Sequence, residues 1–265
     1  MRPTLCLIIA ICAAIIPCQG QQTTHTKPNA EALLAEFIAN TAGSLHACRQ
    51  LLSDPTAMQN PKVQAEFLNL LDRQTQEIEA SYRKAQQPDY VDDGDEDGDG
   101  AEDSGCGYFD ILNGVGSVTD WSDPHQVSIL VAAGSNPDFP FAAQIAAHWK
   151  TTIRCLIKMS ASDADVMRAM YIATLTRALA ASNGELDPST VRTADQVIQR
   201  AIGDRSEAVR LRVATAIGSF AGKDMAPMIP ALEKAANSDI GHNGRFFVRE
   251  AATEAIAAIE KVNNP

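Results

Sequence analysis

The residues whose spacing comes nearest to a known chemistry are acidic. Asp93-Gly94-Asp95-Glu96-Asp97-Gly98 reproduces the D-x-D-x-D-G opening of a helix-flanked calcium loop. Hard cations need several carboxylate oxygens at alternating positions and a glycine that lets the chain turn sharply. Asp93, Asp95 and Asp97 are therefore the candidate metal ligands, with calcium as the one candidate cofactor. The rest of the loop departs from the pattern. Gly100 stands where an apolar residue is usual, and Ser104 where a bidentate glutamate is needed. Acid-rich low-complexity sequence produces the same letters by chance.

No other catalytic or cofactor motif is found. There is no G-x-S-x-G, H-E-x-x-H, P-loop or paired C-x-x-C, and Gly114-Val115-Gly116 lacks the third glycine of a dinucleotide loop. His25, His46, His125, His148 and His242 lie far apart, and none has a histidine one helical turn away. A non-enzymatic protein is expected. The 265-residue chain carries a formal net charge of −11 and its basic residues do not cluster with aromatics, which argues against nucleic acid as a partner.

The N-terminus has the layout of a secretory signal peptide: Arg2, an apolar run over residues 5–16, then small residues at Cys18 and Gly20 before Gln21. Such a run spans about 18 Å as a helix, short of the roughly 30 Å of a bilayer core. The alternatives are an uncleaved anchor or a lipoprotein, for which Pro17 before Cys18 is a poor fit. An exported protein is expected, periplasmic or in the cell envelope or secreted, with no membrane span once residues 1–20 are removed. Cleavage would leave Cys48, Cys106 and Cys155 and a net charge of −12. An oxidising compartment favours one disulfide and one free thiol. Cys48 and Cys155 lie in helical patterns. Cys106 lies in a glycine-flanked stretch and is best able to reach a partner, either Cys48 or Cys155.

An apolar content of 45% with only 5% aromatics suits a helical core better than a large β-sandwich. Residues 21–87 read as a helical hairpin. Leu34, Ile38, Thr41, Leu45, Cys48 and Leu52 form one seam over 29–53, Asp54-Pro55 ends it, and Asn60-Pro61 opens a second helix running to about residue 87. Residues 88–105 are different material: nine acidic side chains fall between Asp89 and Asp103 with no basic one, the composition of a solvated flexible linker. A hinge between the hairpin and the rest of the chain is expected there.

Residues 106–265 read as all-α. After a glycine-rich opening, helices are expected over 124–133, 139–159, 165–181 behind a Ser162-Asp163-Ala164-Asp165 capping box, 188–202, 206–220, 224–236 and 245–262. Two of these resemble each other. VRLRVATAIGSF (209–220) and VREAATEAIAAI (248–259) align at an offset of 39, and a fainter copy begins at Met167-Arg168 with Tyr171 and Leu175. A period near 40 residues with two helices per unit is the pattern of an α-solenoid.

On these residues the chain resembles the HEAT-type repeats, including their short phycocyanobilin-lyase-like branch. Asp204-x-Ser206-x-x-Val209-Arg210-x-x-Val213-Ala214-x-Ala216-Ile217-Gly218 is similar to the first helix of such a repeat, and residues 226–232 to the start of its second. The likeness is specific over about 204–262, weak over 124–203 and absent before. It implies a short solenoid whose structural ladder pairs Asp204 with Arg210 and Asp239 with Arg249. The last unit departs by four extra loop residues, and its first helix would serve as the cap. Stacked pairs present an extended face for a protein or peptide. Arg192, Gln199, Lys223, Lys234, His242 and Arg245 are the candidate contact residues. One branch of the family attaches bilins to cysteines, so a lyase-like enzyme is a further implication; the export signal opposes it. The calcium alternative has a direct check: calorimetry on a peptide of residues 89–105 should give heats no larger than those of its scrambled counterpart, and larger, saturable heats would establish a calcium site.

Overall fold

Four helices of the protein start at an Asx-Pro pair. In each, the Asx side chain accepts a hydrogen bond from a first-turn N–H while proline occupies a position whose own N–H would have had no acceptor. These are Asp54-Pro55, Asn60-Pro61, Asp123-Pro124 and Asp187-Pro188. The structure, a computed structural model, describes residues 29–39, 44–87, 106–241 and 245–264. The signal-like segment, the acidic stretch with Asp93, Asp95 and Asp97, and His242 lie outside the described residues.

The elements are α1 (Ala30–Ile38), α2 (Ser44–Ser53), α3 (Pro55–Met58), α4 (Pro61–Ala85), α5 (Tyr108–Val118), α6 (Pro124–Gly134), α7 (Pro140–Ala147), α8 (Trp149–Met159), α9 (Asp165–Ala181), α10 (Pro188–Ile202), α11 (Glu207–Ser219), a 3-10 helix (Lys223–Met228), α12 (Ile229–Ser238) and α13 (Phe247–Asn263). The protein is all-α, with no strand among the described residues. From α6 onward the helices follow one another in two rows. One row runs α6, α8, α10, α12 and the other α7, α9, α11, α13, and each helix touches the next of its own row. Among the described residues no helix is long and apolar enough to cross a membrane.

Several elements differ from the sequence expectation. The stretch 29–53 is two helices, not one. The expected seam fails at Ile38, which is 55% exposed, and the buried residues are instead Leu33, Leu34, Ala47, Cys48 and Leu51. Residues 139–159 are likewise two helices, broken at His148, whose backbone (φ −94°, ψ 32°) leaves the helical region. Ser162 caps no helix. Ala164 holds the N-cap position of α9 without a side-chain bond, while the Ser162 hydroxyl accepts from Ala164 N and donates to Glu79 of α4. The glycine-rich opening contains a helix, α5. Pro227 lies inside the 3-10 helix that replaces the first turns expected after residue 224.

The N-terminal helices share the core of the rest of the chain. One cluster of buried apolar side chains runs from Leu33 to Ile259. α4 packs on α5, α6 and α9, and the Thr75 hydroxyl of α4 is within 2.9 Å of the Tyr108 hydroxyl of α5. Cys48 of α2 and Cys106 are joined by a disulfide, leaving Cys155 as the free cysteine among the described residues. The hinge expected at residues 88–105 lies outside the described residues, and the helices before and after it share one buried apolar cluster.

Phe141 explains why α5 and α6 carry glycine where they do. Its buried ring lies against Gly116 of α5 and Gly134 of α6, and a Cβ at either would run into it. Gly134 is the last residue of α6, so alanine there gains little helix propensity to offset the clash. Gly134→Ala should cost about 1–3 kcal/mol in urea unfolding. Adding Phe141→Leu should recover part of that loss, a non-additive result that two independent sites would not give.

Candidate functional site: a groove between α10 and α12

The site is built on a row of arginines. Arg168, Arg210 and Arg249 stand near the starts of α9, α11 and α13, and each guanidinium donates to a carbonyl of the loop preceding its own helix. Arg168 Nη1 bonds Ser162 O at 2.7 Å, Arg210 Nη1 bonds Asp204 O at 2.8 Å, and Arg249 Nη2 bonds Asp239 O at 3.0 Å. The first two reach back six residues and the third ten. The last unit's insertion therefore lengthens the loop while conserving the bond. Loop carbonyls taken out of water need donors, and a guanidinium supplies several in fixed geometry.

The resemblance implied Asp204 with Arg210 and Asp239 with Arg249; Arg210 bonds the Asp204 carbonyl, and Arg249 bonds both the carbonyl and, through its backbone N–H, the carboxylate of Asp239. The Asp204 carboxylate is held by the preceding unit's arginine: Arg168 Nε and Nη2 donate to its two oxygens, both at 3.1 Å, and Nη2 also donates to Asp165 at 2.6 Å. Arg210 bonds the carbonyls of Asp204 and Arg205 and not the Asp204 carboxylate. Asp239, buried, accepts from Gly241 N at 3.0 Å and from Arg249 N at 2.9 Å. It thus folds the long loop back on α13, with Gly241 at φ +71° where a side chain would strike Phe246.

Burial works against ionisation of Asp204, but the Arg168 guanidinium and the Ser206 N–H outweigh it, and the carboxyl titrates below its usual range. The Arg249 N–H holds Asp239 low in the same way.

Between the second-row ladder and the facing helices lie two equivalent depressions. The first, of about 270 Å³, lies between α8 and α10, with Arg168, Asp204, Thr193 and Arg200 on its walls. The second, of about 430 Å³, lies between α10 and α12. Gln199, Asp204, Arg210 and Lys234, four of the residues singled out by sequence, line it together. Ile202, Ala231, Ala235 and Ser238 complete the walls. Gln199 Nε2 donates weakly across the groove to Pro227 O at 3.4 Å. Arg168 and its partner Asp165 went unassigned in the sequence; the fainter copy beginning at Met167 was the signal that could have found them.

Arg192 and Arg245 are not brought to this groove. Arg192 is exposed on α10, Arg245 is exposed near the ring of Phe247, and Lys223 lies in the 3-10 helix. Cys155 is half-buried; burial raises its thiol pKa, only partly opposed by a hydrogen bond with Ser128. Among the described residues no cluster of three or more histidine, cysteine or carboxylate side chains could hold a metal ion. No protein-family model matches the chain, and no curated protein and no solved structure matches it.

Replacing Arg168 with alanine should cost about 1–2 kcal/mol, the worth of a partly screened, charge-assisted hydrogen-bond set. Lysine should recover only part, because it cannot engage both oxygens of Asp204. The pH dependence follows from the direction of the Asp204 shift. A carboxyl whose folded pKa is depressed contributes stability above its unfolded pKa of about 4 and loses it as pH falls through the folded value. The gap between wild type and Arg168→Ala should therefore narrow as urea unfolding is measured from about pH 6 down to pH 3.

Proposed function

We propose that the protein is an exported, non-enzymatic recognition protein whose HEAT-like helical rows bind a protein or peptide partner in the α10–α12 groove. The observation that carries this reading is the convergence of Gln199, Arg210 and Lys234 with Asp204 in one depression on an otherwise regular stack. Arg168 neutralises the Asp204 carboxylate and Arg210 is within electrostatic reach of the Asp239 carboxylate, so Lys234 is the unpaired positive charge of the lining among the described residues. Such a groove favours an acidic segment. The hydroxyl of Ser238 in the lining donates to the Ala235 carbonyl. The apolar walls from Ile202, Ala231 and Ala235 supply the desolvated floor that a docked chain needs. The signal-like N-terminus and the Cys48–Cys106 disulfide support export, since such bonds persist in oxidising compartments.

A photoreactive side chain placed in turn at Gln199, Lys234 and Arg192 tests the proposal in extract of the compartment where the protein resides. Adducts with one protein should form from the first two sites and not from Arg192, and Lys234→Glu should weaken that complex at least fivefold. Equal adducts from all three sites, or no effect of the charge reversal, would remove the groove from consideration.

A further inference from the structure

At the other end of the rows, α4, α5, α6 and α9 leave a pocket of about 360 Å³, within the range of small-molecule sites. Among the described residues its walls carry no charged side chain. Ile78 and Tyr82 of α4 line it, as do Phe109, Phe139, Met167 and Met170. The Phe109 and Phe139 rings lie 4.1 Å apart, and Ile78 and Phe109 remain 39% and 43% exposed, so the lip is apolar and uncovered. Flexible methionines beside aromatic faces fit irregular apolar molecules.

Polar groups distinguish this pocket from a mere packing defect. The Tyr108 hydroxyl is engaged, bonded to Ala133 O and to Thr75. The Ser135 hydroxyl donates to Val131 O. Tyr171 is another matter: the residue is 97% buried (3% exposed), it lies on the pocket wall, and its hydroxyl has no hydrogen-bond partner among the described residues. The hydroxyl oxygen is open to the pocket, not sealed in the core, so it is free to donate to an acceptor brought there. Burial, with Glu79 as a lesser contribution, raises the Tyr171 pKa, so the group is a donor at any physiological pH.

We infer that this pocket is a binding site for a small, uncharged, largely apolar molecule bearing one hydrogen-bond acceptor, which the Tyr171 hydroxyl recognises. An anion or cation would be desolvated against walls offering no counter-charge. The pocket shares no residue with the α10–α12 groove, so either reading can fail without the other.

The test uses the full chain and the fluorophore Prodan, an uncharged naphthalene with one ketone, beside 2-(dimethylamino)naphthalene, which lacks the ketone. Prodan should bind saturably with one-to-one stoichiometry and a blue-shifted emission, about tenfold more tightly than the ketone-free compound. Tyr171→Phe should keep the melting temperature, weaken Prodan about tenfold and abolish the preference. Met170→Trp, which fills the space, should block both probes. Absence of saturable binding, or Tyr171→Phe with an unchanged preference, overturns the proposal. So does binding that appears only after proteolytic cutting within residues 88–105, which would make the chain's own segment the occupant.

Discussion

Burial of α9 on every side is the condition on which the rest of the architecture depends. Ten of its 17 residues are buried, and they are distributed around the whole helix, from Met167 and Tyr171 to Thr174, Leu175 and Ala178. A helix apolar all round has no solvent face to spare. It needs neighbours in every direction, and α4, α7, α8, α10 and α11 supply them. Its buried hydroxyls are satisfied locally or across the interface: Thr176 donates to Ile172 O, and Thr174 to Ser135 O in the loop before α7. Removing any one neighbour would expose part of α9. The N-terminal piece is therefore a required wall of the same core.

The ladder solves a second problem created by stacking. Bringing α9, α11 and α13 side by side also brings together the loops that precede them, with carbonyls partly removed from water. One arginine per unit answers those carbonyls, and in the first pair it also grips the next unit's aspartate. The spacing of these arginines, 42 and then 39 residues, sets how many residues each unit can hold before the bond must stretch. The ten-residue reach of Arg249 shows how a unit tolerates an insertion: Asp239 and Gly241 turn the extra loop back before it can displace α13. The groove beside Arg210 and Lys234 is a by-product of that regular spacing, since α10 and α12 are held apart by the row they flank.

Much of this was legible in the primary structure, for reasons that differ element by element. The starts at Asn60-Pro61, Asp123-Pro124 and Asp187-Pro188 are local chemistry, and local chemistry can be read from a string of residues. The arginine period was also visible, because Val209-Arg210 and Val248-Arg249 repeat with their surroundings. The break at His148 was not, since neither glycine nor proline marks it. What accompanies it is tertiary: Trp121, distant in sequence, stacks on the imidazole at 4.2 Å. α5 was missed for the opposite reason. Gly114 and Gly116 look like loop residues, yet they lie in a helix because Leu52 and Phe141 press on it too closely for any side chain. The Asp204–Arg168 bond was hidden because within-unit pairing and between-unit pairing look the same in a linear repeat. Tyr171 carried no sign at all: an apolar helical position holding a tyrosine announces packing, and only the assembled walls show that its hydroxyl has no partner among the described residues.

The acidic stretch between Gln87 and Cys106 looks different once its two ends are placed. A run of like charge suggests a tether between parts that move, and that inference holds only if each part is held by separate contacts. Here the C-terminal half of α4 is fastened to the loop before α9 by the Glu79–Ser162 bond at 2.7 Å. The start of α5 is fastened to α4 through Thr75 and Tyr108, and to α2 by the disulfide at Cys106, which closes a separation of 58 residues. Both ends of the segment are therefore anchored on one core, and whatever freedom the segment has cannot become motion of α4 against α9.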